Sequence, residues 1–108
     1  MTDARQVPRN RSRRHHKDAL RDYKTEIRAL LDEEKDRACA RCGVHYPICC
    51  MQFDHLPGTR KQFNLSEARS GLIPRVEVLQ ELKKCEVVCA NCHLIREEER
   101  RRAQLTPA

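Results

Sequence analysis

Two Cys-x-x-Cys pairs are the residues of this sequence best suited to chemistry. They are Cys39 with Cys42 and, far downstream, Cys89 with Cys92. Two thiolates spaced i,i+3 can reach one metal ion from a tight turn, and two such turns complete a tetrahedral sulfur shell that suits zinc. The intervening segment, residues 43–88, is longer than the usual zinc-ribbon interval, but the entropy cost of closing a loop grows slowly with its length. We therefore predict a structural zinc, with buried thiols or a redox pair as the alternatives.

A carboxylate and two imidazoles lie close to these pairs in a second group. Asp54 and His55 are adjacent between the two pairs, and His93 directly follows Cys92. A carboxylate is a hard ligand suited to Mg²⁺ or Mn²⁺, and an imidazole can take a proton from water near neutral pH. Each histidine alone reads as an ordinary exposed or hydrogen-bonded side chain. Beside the cysteine frame, the group predicts a second, catalytic metal site.

Short elements must position these residues. Apolar residues at spacings of three and four predict a helix over residues 17–36. Short extended stretches are predicted at 49–54 and 85–89, with a loop at 56–63 between them. Ser66 can cap a helical turn that ends at Gly71, and Pro74 suits the first position of a helix that runs to about Lys84. A last helix begins near Cys92, so the predicted fold class is α+β.

Side-chain placement follows from the same patterns. In the helix over residues 74–84 we expect Val76, Leu79 and Leu82 to face inward. The three cysteines outside the two pairs are expected to be small core residues, namely Cys49, Cys50 and Cys85.

Composition limits what such a chain can be. It has 108 residues, which suits one small domain, and only 4% aromatic residues, so a metal is expected to supply part of its stability. There is no apolar run long enough to span a membrane, and no apolar segment follows the basic N-terminus as in a secretory signal. The seven cysteines are therefore expected in a reducing compartment, the cytoplasm.

The excess positive charge lies at one end. Residues 1–17 carry six Lys/Arg against one acid, a surplus of +5 out of the net +6. We expect residues 1–16 to form a basic arm without regular structure, ahead of a single domain over residues 17–108. Such an arm suits a polyanion, most simply nucleic acid, with Arg11, Arg13 and Arg14 as phosphate contacts. A solvated tail is the alternative.

Four segments in this order resemble the HNH endonuclease family, whose fold is the ββα-metal motif. They are Cys39-x-x-Cys42, Phe53-Asp54-His55, Phe63-Asn64-Leu65-Ser66, and the run from Cys85 through Cys89-Ala90-Asn91-Cys92 to His93. The resemblance covers about residues 37–100. It implies two antiparallel strands and a helix, supported by zinc on the four cysteines.

The resemblance also implies a role for each site residue. His55 would be the general base that deprotonates the attacking water, and Asp54 and His93 would bind the catalytic Mg²⁺ or Mn²⁺. Asn64 is assigned to the middle Asn of the motif, which braces the catalytic loop; in many members that Asn lies just before the second cysteine pair, where this chain has Lys84 and Cys85. Arg60 and Lys61 follow the base in the chain and are predicted to contact phosphates.

The leading prediction is a metal-dependent endonuclease that cuts or nicks duplex DNA. A zinc-stapled nucleic-acid-binding module without catalysis is the alternative, and it needs only the cysteines and the arm. A third possibility is a phage packaging accessory protein, in which a partner such as a terminase would choose the site.

Overall fold

The computed structural model describes the backbone of residues 6–105 and the side chains of residues 15–105. Its elements in chain order are α1 (Gln6–Lys35), a 3-10 turn (Ile48–Cys50), β1 (Met51–His55), a second 3-10 turn (Leu65–Ser70), α2 (Arg75–Leu82), β2 (Cys85–Cys89) and α3 (Ala90–Leu105). The two strands form one antiparallel sheet. The chain is therefore a small α+β protein, as the sequence predicts.

The first helix begins earlier than its apolar pattern predicts. It starts at Gln6 rather than near residue 17, so helical backbone covers much of the stretch for which no regular structure was expected. Residues 1–5 and the side chains of Arg11, Arg13 and Arg14 lie outside the described residues. Within residues 6–105, no helix is both long and apolar enough to cross a membrane.

The register of the two-stranded sheet places the candidate site residues. Met51 pairs with Cys89 at one end of the sheet, and His55 pairs with Cys85 at the other. Because α3 starts directly after Cys89, the second cysteine pair is shared between the last residue of β2 and the first turn of α3. The strand that ends in Asp54 and His55 therefore runs antiparallel to the strand that leads into the cysteines.

Two small hydrophobic clusters hold the elements together. One contains the buried cysteines and the sheet residues Met51, Val87 and Val88. The other joins α1 to the segment before β2 and is built from Ile27, Leu31, Leu65, Ala68 and Val78. Phe53 packs against both clusters, so β1 links the sulfur-lined core to the helical core.

The inward face of α2 differs from the predicted one. Val78 and Glu81 are buried, whereas Val76 is 61% exposed and Leu79 is 41% exposed. The apolar spacing predicted the wrong face because Glu81, which is buried, lies at a position that the pattern assigned to the solvent-exposed side. Leu82 does pack against the second cluster, as expected. Cys49 is exposed rather than in the core, while Cys50 and Cys85 are half-buried.

Candidate metal centre and catalytic site

The four cysteines of the two pairs converge on one point. Their Sγ atoms all lie within 4.8 Å of one another, although Cys42 and Cys89 are far apart in the chain. A tetrahedral zinc site with bonds of about 2.3 Å requires sulfur atoms about 3.8 Å apart. Cys39, Cys89 and Cys92 are buried and Cys42 is exposed. The cluster is positioned to hold a metal ion and is consistent with structural zinc.

The backbone around the cluster favours thiolates. Burial by itself would raise the pKa of Cys39, but amide hydrogens of Cys42, Cys89 and Arg41 lower it to about 6. The amide of Cys89 donates to Cys39 Sγ at 3.2 Å, and the amide of Cys92 donates to Cys89 Sγ at 3.4 Å. Burial, followed by hydrogen bonds from the neighbouring thiols, raises the pKa of Cys92 to about 12. A bound cation is what would let all four sulfurs ionise together.

Asp54 is a buried carboxylate enclosed by cations of α3. Its side chain is 2% exposed. Arg100 bonds it in a bidentate fork, at 2.9 Å to Oδ1 and 3.0 Å to Oδ2, and Arg96 donates to Oδ2 at 2.9 Å. Burial alone would raise the pKa of Asp54, but the hydrogen bonds and charges of Arg100 and Arg96 bring it below its usual value. Asp54 is therefore ionised at neutral pH.

His93 lies beside Asp54 and carries a free nitrogen. Its Nδ1 is 3.7 Å from Asp54 Oδ1, and its Nε2 is 3.0 Å from Glu97 Oε1. Within the described part of the chain, Nδ1 is the buried side-chain nitrogen that finds no hydrogen-bond partner. His93 thus lies between two carboxylates, with Nδ1 toward Asp54 and Nε2 toward Glu97.

Asp54 and His93 together present one carboxylate oxygen and one imidazole nitrogen. The buried, unpartnered Nδ1 is a costly arrangement unless something binds it, whereas Arg96 and Arg100 already balance the charge of Asp54. A carboxylate oxygen suits Mg²⁺ or Mn²⁺, and an imidazole nitrogen more often binds zinc, iron or copper. The pair could contribute two ligands to a divalent cation.

His55 points to a different neighbour. Its ring is 17% exposed, and Nε2 donates to Glu81 Oε2 at 2.8 Å. Adjacent strand residues face opposite ways, so Asp54 meets α3 while the His55 ring meets α2. The structure therefore brings Asp54 and His93 together and leaves His55 oriented by a carboxylate of its own. That contact leaves Nδ1 as the nitrogen able to accept a proton.

Glu81 is the site residue that sequence reasoning missed. It is 1% exposed, and besides His55 it accepts hydrogen bonds from the Gln62 amide at 3.0 Å and from Lys84 Nζ at 2.8 Å. Burial by itself would raise the pKa of Glu81, but these partners, Lys84 first, lower it to about 2. A polar residue on a short amphipathic helix carries no sequence signal of burial, so its role could be found only from coordinates.

Lys84 braces the loop after β1. Its Nζ donates to the Arg60 carbonyl at 2.9 Å, and its own carbonyl accepts from the Leu56 amide at 2.8 Å. Asn64 is exposed and donates to Glu67 at 3.3 Å rather than to His55. Bracing of this loop thus comes from Lys84 and Glu81.

The predicted phosphate contacts lie in the same loop. Arg60 and Lys61 are both exposed, on the segment between His55 and the second 3-10 turn. Their role in binding stays a prediction.

Comparisons with known proteins found no match to this chain. No family model matches the chain, no curated protein matches it, and no solved structure matches it. What the fold and the site define is a small α+β protein with a four-cysteine cluster able to bind a metal.

The Glu81 network predicts a measurable dependence of stability on pH. Because folding lowers the pKa of Glu81 from 4.5 to about 2, its contribution to the free energy of unfolding is complete above pH 4.5 and disappears as the pH falls through 2. Glu81→Gln should remove this contribution and cost about 3 kcal/mol at pH 7, since Lys84 and His55 lose a buried partner.

Urea unfolding of wild type and Glu81→Gln at several pH values measures the difference. Zinc content is measured at each pH, because acid also protonates the zinc ligands and loss of the metal would unfold both proteins. Where zinc stays bound, we expect the full gap between the two proteins above pH 4.5 and a narrower gap below it; equal stability of the two proteins at pH 7 would contradict the assignment.

Proposed function

We propose that this protein is a metal-dependent DNA endonuclease of the HNH type that hydrolyses phosphodiester bonds. The observation that carries the proposal is the pairing of the ionised Asp54 carboxylate with the unpartnered Nδ1 of His93, 3.7 Å apart. His93 directly follows Cys92 of the cysteine cluster, and Asp54 directly precedes His55, whose ring donates to the buried carboxylate of Glu81.

Each side chain has a distinct role in the proposed reaction. Asp54 and His93 would hold Mg²⁺ or Mn²⁺, which supplies Lewis-acid polarisation of the scissile phosphate and stabilisation of the leaving oxygen. His55 would take the proton of the attacking water on Nδ1, while Glu81 stabilises the charge that develops on the ring. The products would carry 5′-phosphate and 3′-hydroxyl ends, as the resemblance implies.

Asp54 and His55 are adjacent at the end of β1, but their side chains contact α3 and α2 respectively. The proposed reaction therefore requires a scissile phosphate at the end of β1, within reach of both side chains.

A groove beside the site could receive the DNA backbone. It has a volume of about 480 Å³ and is lined by two arginines, two acids and three apolar residues, namely Arg96, Arg100, Glu86, Glu99, Leu56, Pro57 and Ala103. Its guanidinium groups are suited to phosphate oxygens. The basic N-terminal stretch would add affinity that depends on salt and not on sequence.

Nicking of a supercoiled plasmid tests the proposal. The zinc-loaded full chain should nick DNA in Mg²⁺ or Mn²⁺, stop when a weak chelator removes the exchangeable ion, and recover when Mg²⁺ returns, because the sulfur site retains its zinc. The nicks should be sealed by DNA ligase. A plasmid left intact in both metals, with DNA binding retained, would contradict the proposal.

A non-catalytic nucleic-acid-binding module is the second candidate, and one observation favours it. Three hydrogen bonds from Arg96 and Arg100 already give Asp54 a structural role. In that case, the protein would bind DNA with a strong salt dependence, and divalent ions would change neither binding nor the plasmid. Phage packaging and a terminase partner remain predictions from the sequence.

A further inference from the structure

Arg96 and Arg100 occupy most of the acceptor positions of the Asp54 carboxylate. A carboxylate offers about four acceptor positions on its two oxygens. Three positions on Asp54 accept from guanidinium nitrogens, two of them from Arg100. The remaining one is on Oδ1, the oxygen nearest His93. The carboxylate that would bind a divalent cation is thus already shared by two fixed positive charges.

We propose that Arg96 and Arg100 act as a built-in competitor for divalent cations at Asp54, and that a DNA phosphate relieves this competition by accepting the guanidinium of Arg100. The inference rests on the proposed function, because it names how the same site is regulated. Its consequence is that the ion binds weakly to the protein alone and more tightly when DNA is present.

The two arginines differ in how readily they can leave. Arg96 is 21% exposed and also bonds Glu86 at 2.9 Å, so a second acid holds it in place. Arg100 is 43% exposed, and its remaining contact is the His55 carbonyl at 3.4 Å. Arg100 also lines the groove beside the site. It can therefore turn from Asp54 toward a phosphate in the groove, while Arg96 stays.

Charge explains the direction of the effect. A guanidinium within a few ångströms of a divalent ion repels it, and this repulsion is strong in a partly buried site. A phosphate in the groove would neutralise Arg100 and add negative charge near the ion. Binding of the ion and of DNA must then favour each other to the same extent, because such coupling is reciprocal.

Titration of the zinc-loaded full chain with Mn²⁺ tests the inference, with free Mn²⁺ followed by electron paramagnetic resonance. We expect Arg100→Gln to bind Mn²⁺ about tenfold more tightly than wild type. Arg101→Gln is the matched control, because Arg101 lies on the same helix and pairs with Glu98; it should bind within about twofold of wild type. Asp54→Asn should abolish the binding, which locates the ion.

A second arm measures the coupling to DNA in a His55→Ala background, where the DNA should survive. A duplex oligonucleotide should tighten Mn²⁺ binding when Arg100 is present and change it little in Arg100→Gln. Arg100→Lys keeps the positive charge without the bidentate guanidinium. Its Mn²⁺ affinity should fall between those of wild type and Arg100→Gln, and it replaces Arg100→Gln if that variant folds poorly. Unchanged or weaker Mn²⁺ affinity in both Arg100 variants would overturn the inference.

The outcomes separate this inference from the proposed function. A protein that shows the Arg100 effect on Mn²⁺ but never nicks plasmid would overturn the nuclease and leave the competitor in place. A protein that nicks plasmid, but whose Mn²⁺ affinity does not depend on Arg100, would support the nuclease and overturn the competition by arginine.

Discussion

Cys89→Ser should remove the bound metal and the cooperative fold together. The two small hydrophobic clusters leave the sheet dependent on the sulfur cluster, in which Cys89 Sγ also accepts from the Cys92 amide. Zinc binding contributes about 10 kcal/mol or more of folding free energy in small domains, which is comparable with the whole stability of such a protein. We therefore expect zinc content near zero and no thermal unfolding transition.

Cys49→Ser is the matched control for this change. Cys49 is exposed and lies outside the cluster, with its Sγ 3.9 Å from that of Cys50. The same substitution there should leave one zinc per chain and shift the melting temperature little. Elemental analysis and circular dichroism measure both properties, and a folded, zinc-free Cys89→Ser protein would count against the structural metal.

His55→Ala should leave the metal in place and eliminate cleavage. The loss of a general base lowers the rate by about 10²–10⁴-fold. The ring also donates to buried Glu81, so the substitution should cost about 1–3 kcal/mol of stability without unfolding the protein. The rate of plasmid nicking at saturating Mg²⁺ and the zinc content are the two readouts.

His45→Ala controls for the loss of any histidine next to an acid. Its ring is 57% exposed, and Nε2 lies 2.9 Å from an Asp36 carboxylate oxygen, outside the proposed site. That variant should cut like wild type. Equal cleavage by His55→Ala and His45→Ala would remove His55 from the mechanism.

The sequence predicted the elements better than their packing. β2 begins at Cys85 and ends at Cys89, as the apolar run indicates, and Gly71 ends the 3-10 turn with a left-handed φ of 77°. The start of α1 was missed because the basic stretch before residue 17 lacks an apolar period. The face of α2 was assigned wrongly because Glu81 is buried, with hydrogen bonds from His55, Gln62 and Lys84 to satisfy its carboxylate.

The sequence predicted the candidate ligand residues of the site but not the side chains that hold them in place. Cysteine spacing is a local signal, so the cluster of Cys39, Cys42, Cys89 and Cys92 could be anticipated, and the structure does bring these four residues to positions that could hold a metal ion. The partners of Asp54 could not be anticipated. Arg96 and Arg100 lie in a run of charges that looks like a solvated helix face, and only the packing of α3 against β1 turns them toward a buried carboxylate.

The most direct measurement is the rate of Mg²⁺-dependent plasmid nicking by His93→Ala beside wild type, with zinc counted in both. His93 Nδ1 has no hydrogen-bond partner in the described part of the chain, so truncation should spare the fold and leave one zinc per chain. Loss of an outer-shell group alone costs about 10–100-fold in metal affinity or activity, so loss of a direct ligand should slow nicking by at least about a hundredfold. Nicking by His93→Ala at the wild-type rate would contradict the account.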